Sequence, residues 1–199
     1  MKRISVSAGF ALCFAALWFF DNSGSMSAII PAVLSHELGH AVALMSLGAG
    51  ISRVTVDISG LCMDYIYPPG LVGEIFAAAA GPGVGIIYAV VCSALGKTFD
   101  NEYMLCTAGV SLALSLFNLI PASPMDGGRI LSVILNAVAG AVRAEWVSLA
   151  LDAVISAGFI LVGTWFFARG YGAALIPTGI WIAAHRISLS CKNQSYSIK

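Results

Sequence analysis

Apolar residues fall in long blocks broken by short polar, glycine or proline stretches. Blocks at 4–20, 27–47, 71–95, 103–120, 147–168 and 172–188 are each long enough for a membrane helix of about 20 residues. A shorter helix is expected at 127–141, after Pro121, Pro124 and Asp126. Residues 51–67 behave differently. Val54, Val56 and Ile58 alternate with Thr55, Asp57 and Ser59, and after Ser59-Gly60 the alternation resumes through Leu61, Met63, Tyr65 and Tyr67. Period two around a turn is a β-hairpin pattern. An open strand cannot face lipid, so the hairpin belongs at the interface or against protein. The pattern leaves two uses open: a structured loop, or an edge that pairs with an extended peptide.

The predicted fold is therefore an all-α polytopic membrane protein, with about six transmembrane helices and a short interfacial hairpin. Residues 1–190 read as one integral-membrane domain and 191–199 as a polar, disordered tail. Lys2 and Arg3 ahead of the first block resemble a signal peptide. That block is long, though, and Phe20-Asp21-Asn22-Ser23 offers no small-residue cleavage site, so it reads as a retained helix with Trp18-Phe19-Phe20 at an interface. The breaks carry their own signals. Gly48-Ala49-Gly50 stops the second helix, Pro68-Pro69-Gly70 ends the hairpin, and Gly81-Pro82-Gly83 allows a kink or close approach.

Composition agrees: 59% of the 199 residues are hydrophobic and 10% are charged, against about 25% charged in soluble domains. Zero net charge and scattered basic residues exclude a nucleic-acid footprint. The five cysteines, Cys13, Cys62, Cys92, Cys106 and Cys191, show no disulfide framework or metal knuckle and read as apolar filler. With six spans, Lys2, Arg3, Arg53, Arg129, Arg143, Arg186, Lys192 and Lys199 share the side of the termini. Only Lys97 and Arg169 lie opposite. Both termini of this multi-pass protein are then cytoplasmic.

The chemistry concentrates in Ser35-His36-Glu37-Leu38-Gly39-His40, inside the second block. Histidines four apart share a helix face and can present two imidazole nitrogens to one Zn²⁺; Glu37, beside them, can take a proton from a water held by the ion. The competing reading is a polar helix–helix contact. Ionisable groups in a lipid-embedded helix are functional by default, which favours the metal. His40 sits roughly 12 Å from the cytoplasmic end of its helix at about 1.5 Å per residue.

A catalytic zinc keeps three protein ligands. The candidates for the third are Asp126, Glu74, Asp64 and Glu102. Glu102 falls on the wrong side, while Glu74 and Asp64 sit in ordinary interface settings. Asp126 follows Pro121 and Pro124, which unwind the chain, and irregular backbone at membrane depth is tolerated where it lines a cavity. These settings favour Asp126; its competing role is an N-cap of the next helix, and Asn118 can likewise just satisfy backbone groups near Pro121.

The pairing of His36-Glu37-Leu38-Gly39-His40 with Asn118-x-x-Pro121-x-x-Pro124-x-Asp126-Gly127 resembles the site-2 protease family of intramembrane zinc metalloproteases. The short layout resembles its bacterial sporulation-type branch, which lacks a PDZ insertion, and that likeness implies a bacterial cell membrane. The resemblance covers roughly residues 27–131. It implies that His36, His40 and Asp126 bind zinc, that Glu37 is the general base, and that Asn118 and Pro121 contact substrate. It also implies a membrane-tethered protein substrate cleaved in or beside its transmembrane segment, a lipid-bilayer setting and a regulatory membrane partner. Many members carry Gly-Pro-x-x-Asn in the third helix; here Gly85 stands at the Asn position. The rival functions are a membrane metal transporter and an inactive scaffold for a partner helix.

Overall fold

The computed structural model describes residues 3–21, 25–57, 60–65 and 70–197. The Ser59 turn position, Tyr67 and the Pro68-Pro69 break lie outside them. The chain falls into two compact units, residues 1–119 and 120–199.

The first unit holds β1 (Arg3–Val6), α1 (Ala8–Phe20), α2 (Ser25–Ser46), β2 (Ile51–Asp57), β3 (Gly60–Tyr65), α3 (Leu71–Thr98) and α4 (Glu102–Asn118). The hairpin forms as its alternation predicts, with Val54 opposite Met63 and Val56 opposite Leu61. A third strand joins it. β1 runs parallel to β2, with Arg3 opposite Arg53 and Val6 opposite Val56, giving the order β1-β2-β3. The expected helix from residue 4 therefore begins only at Ala8. Ile4 and Val6 alternate with Ser5 and Ser7, and β2 offers that short stretch a ladder of backbone partners. The ladder continues in the Ser7 N–H bond to Val56 O at 2.9 Å and the Ser5–Thr55 hydroxyl contact at 3.2 Å.

α2 passes Pro31 unbroken. At its start Asp21 accepts the Met26 N–H at 2.7 Å, satisfying a first-turn donor. At its end Gly48 adopts φ +73° and Ala49 N–H returns to Leu44 O at 3.0 Å, the six-to-one bond that closes a helix on a left-handed glycine. α3 is also continuous, through Pro82. Its buried residues Gly73, Ala77, Gly81, Gly85, Ala89, Cys92 and Gly96 recur every three or four positions, making one face of small side chains. α2 and α4 pack on α3 and on each other. The approach is close: a β-carbon on Gly39 would stand 2.6 Å from Ala80 O, and one on Gly96 would stand 2.9 Å from Leu105 Cδ2. Small residues at such contacts let membrane helices meet backbone to backbone. Tyr103 Oη donates to Ser27 O at 2.8 Å, tying the start of α4 to α2.

The second unit holds α5 (Asp126–Ala139), α6 (Ala141–Ala168) and α7 (Leu175–Ser197), with α6 packed on both others. The helix expected from residue 147 begins instead at Ala141, right after Gly140 at φ +80°. α7 continues through Ser197, so the polar tail expected to be disordered is helical that far. α5 sets Arg129, Ser132 and Asn136 along one face. With Ser123, Glu145, Arg186 and neighbours they line a cavity of about 410 Å³.

Among the described residues, three helices are long and apolar enough to cross a membrane: Met26–Ser46, Leu71–Thr98 and Ala141–Ala168. α1, α4 and α5 are shorter, at 13, 17 and 14 residues. α7 has the length, but its second half is polar. The architecture is mostly helical with a small sheet, as the block pattern predicts.

Candidate metal centre

His36 and His40 project from the same face of α2. His36 is 4% exposed, and Glu37 beside it is half-buried. The imidazoles meet edge to face with centroids 4.8 Å apart. Their Nε2 atoms lie 3.2 Å apart. Two nitrogens bound at 2.0–2.1 Å to one tetrahedral zinc stand roughly 3.3 Å apart, so the pair has the separation that an ion requires.

α3 decides which nitrogen of His40 is available. His40 Nδ1 lies 2.7 Å from the backbone oxygen of Ala77. A carbonyl only accepts, so Nδ1 carries the proton and the Nε2 of the neutral ring presents its lone pair toward His36. Such an outer hydrogen bond is the usual means of fixing a ligand histidine's tautomer and ring plane. Gly81, one turn beyond Ala77, makes room: a β-carbon there would overlap the His40 ring at Nε2. In the sequence Gly81 is a kink or close-approach glycine, whereas α3 runs on without a break and the glycine seats an imidazole. The signal was available in the four-residue recurrence Ala77, Gly81, Gly85, but nothing in one chain told which residue of α2 would lie against it.

The other named residues are placed as follows. Asn118 ends α4 and donates from Nδ2 to Leu114 O at 3.1 Å. Pro121 is exposed, in the non-helical stretch that opens the second unit. Asp126 is half-buried and is the first residue of α5. Met125 holds the N-cap position, without a side-chain cap, so Asp126 is not that helix's N-cap. A carboxylate in a first turn still gains from the helix dipole. Glu74 lies in the first turn of α3 and is half-buried; Asp64 on β3 and Glu102 at the start of α4 are exposed.

The model of Peptidase family M50 matches residues 97–162, a stretch that includes Asn118 to Asp126. A zinc metalloprotease of Methanocaldococcus jannaschii is 40% identical over 110 residues, covering 52% of this chain and 32% of the relative. The Mycobacterium tuberculosis protein Rip3 is 26% identical over 182 residues, covering 85% of this chain and 44% of the relative. The chain thus spans a third to under half the length of these curated relatives. The solved site-2 protease from Methanocaldococcus jannaschii superposes with a TM-score of 0.70 at 25% identity, over 94% of this chain and 90% of that one. The chain resembles the site-2 proteases in fold and, over part of its length, in sequence. It departs from the pattern of many site-2 proteases at Gly85, and α4 accounts for the volume. Ser115 Oγ occupies the space that a Gly85 side chain would need, and Ser111 Oγ donates to Gly85 O at 2.8 Å. Both serines are fully buried, and Ser115 in turn donates to Ser111 O at 2.8 Å. A side chain at residue 85 would therefore have to turn the Ser115 hydroxyl away from its bond to Ser111 O.

Proposed function

We propose that this protein is an intramembrane zinc metalloprotease that hydrolyses a peptide bond within or beside a transmembrane segment of a membrane-tethered protein. The observation that carries the reading is the histidine pair: two Nε2 atoms 3.2 Å apart, with one tautomer set by Ala77 O, in a helix long and apolar enough to span a membrane. A pair built only for helix contact has no need of facing nitrogens at ligand spacing.

In this reading His36, His40 and Asp126 hold the ion. Asp126 is assigned on the register of the Asn118-x-x-Pro121-x-x-Pro124-x-Asp126 segment and on its place at the head of α5, displaced from the N-cap. When bound, zinc acidifies water toward neutral pH and polarises a carbonyl. Glu37 accepts the proton of the attacking water and returns it to the leaving amine. Ala77 O keeps His40 from rotating, and the burial of His36 limits competing water. The substrate must be unwound first, because a helix hides its carbonyls in backbone bonds. The β3 edge, Asn118 and Pro121 hold it extended. The termini lie in the cytoplasm, following the basic residues.

Four variants test the assignment through zinc per protein and cleavage of membrane peptides. Glu37→Gln is expected to keep zinc and lose about 10²–10⁴ in rate, the usual worth of a general base. Asp126→Asn, His36→Ala and His40→Ala are expected to lose both. Full zinc and full cleavage in Asp126→Asn would move the third ligand to Glu74 or Asp64. Ion transport that survives Glu37→Gln, with no cleavage by the parent, would make the protein a transporter.

A further inference from the structure

Asp152 is 2% exposed, midway along the membrane-length helix α6, and belongs to no motif discussed above. A buried carboxylate in such a helix is costly unless it is paired and hydrogen-bonded. Its partners are specific. Oδ1 accepts the backbone N–H of Ser123 at 2.8 Å and Oδ2 accepts the Ser123 hydroxyl. Arg186 of α7 backs the pair, with Nε 3.8 Å from Oδ2, Nη1 3.4 Å from Ser123 Oγ, and Nη2 at the Glu145 carbonyl (3.2 Å) and carboxylate (3.6 Å). The cavity bordered by Ser123, Glu145 and Arg186 leaves the guanidinium a polar flank.

Ser123 lies between the two prolines, three residues before Asp126. Pro121 and Pro124 have no N–H, so the stretch 121–125 owns three backbone donors. Ala122 N–H goes to Ile120 O at 2.8 Å and Met125 N–H to Ala122 O at 2.9 Å, both local. The Ser123 N–H is the one that leaves the segment, and Asp152 takes it. Gly128 closes the other side, because a β-carbon there would overlap Ala122 O. The backbone leading to Asp126 is thus clamped between the first turn of α5 and one carboxylate of α6.

We propose that Asp152 is a positioning residue: it fixes the Pro121–Asp126 segment, and through it the orientation of the Asp126 carboxylate toward the metal, with Arg186 as its counter-charge. This rests on Asp126 being a zinc ligand. The test uses the full chain in detergent, with zinc affinity from chelator competition, amide exchange of residues 120–126 in zinc-free protein, and thermal midpoints. Asp152→Ala is expected to speed exchange at Ser123 and to weaken zinc about 10- to 100-fold, the range for residues that orient ligands. Ser123→Ala, which keeps the N–H bond, is expected to weaken zinc less. Should Asp152→Ala not fold, Asp152→Asn combined with Arg186→Gln decides. It keeps an acceptor for the Ser123 N–H without a lone buried charge, and is expected to hold zinc within a few-fold of the parent. Ser156→Ala is the control: it removes another buried α6–α7 bond, to Gly179 O at 2.7 Å, and is expected to lower the thermal midpoint while leaving zinc affinity alone. If Asp152→Ala does only what Ser156→Ala does, or if the double variant loses zinc as Asp126→Asn does, Asp152 is no positioning residue. If Asp126→Asn itself binds zinc like the parent, the ligand assignment fails, and the metal role of Asp152 with it.

Discussion

The histidine site depends on a missing methyl group. Gly81→Ala places a β-carbon where the His40 ring lies, in contact with Nε2. The backbone of α3 cannot retreat easily, because α4 packs on it as well, with Gly96 against Leu105. The ring must turn instead, which stretches its bond to Ala77 O, 2.7 Å in the parent. Overpacking of this kind costs about 1–3 kcal/mol, and the lost hydrogen bond adds about 1 kcal/mol. Alanine returns about 1 kcal/mol as the better helix former. The net is a modest destabilisation of about 1–3 kcal/mol. The metal suffers more, because the ring that turns is the ligand itself: zinc affinity is expected to fall by at least the roughly 10- to 100-fold seen when an outer partner of a ligand is lost. Gly83→Ala is the matched control, with nothing within 4 Å of its β-carbon; it is expected to stabilise α3 by up to about 1 kcal/mol and leave zinc unchanged. Chelator competition and thermal unfolding in detergent measure both effects. If Gly81→Ala binds zinc within twofold of the parent, the seat assigned to His40 is wrong.

At the second glycine contact, Gly85→Ala is expected to destabilise by about 1–3 kcal/mol through overlap with Ser115 Oγ. Ser115→Ala in the same chain should recover most of that, a non-additive cycle readable in thermal midpoints. Asp21→Ala removes the acceptor for Met26 N–H and should cost about 1 kcal/mol, the worth of a helix cap, without changing zinc per folded protein. Reporter fusions after Lys97 and after Arg169 should both register the outer face of the membrane; a cytoplasmic signal from both would refute the six-span topology.

Much of this was written in local pattern. Block lengths announced the helices, alternation announced β2 and β3, and the Gly48 stop and the helix after the two prolines fell where the breaks put them, because each depends on neighbours within a few residues. The His36–Glu37–His40 stretch was legible for the same reason: a spacing of four is a property of one helix. What the sequence could not show depends on partners far along the chain. Arg3–Val6 reads as the start of an apolar block and becomes a strand only because β2 lies open beside it. Gly81 reads as a kink until the His40 ring is seen against it. Gly85 reads as a missing asparagine until Ser115, thirty residues on, is found in its space. Asp152 is one acid in a long apolar helix, with nothing nearby in sequence to mark it. Its meaning comes from Ser123 and Arg186, which tertiary packing brings to it, since a buried carboxylate is stable only where donors and a counter-charge converge.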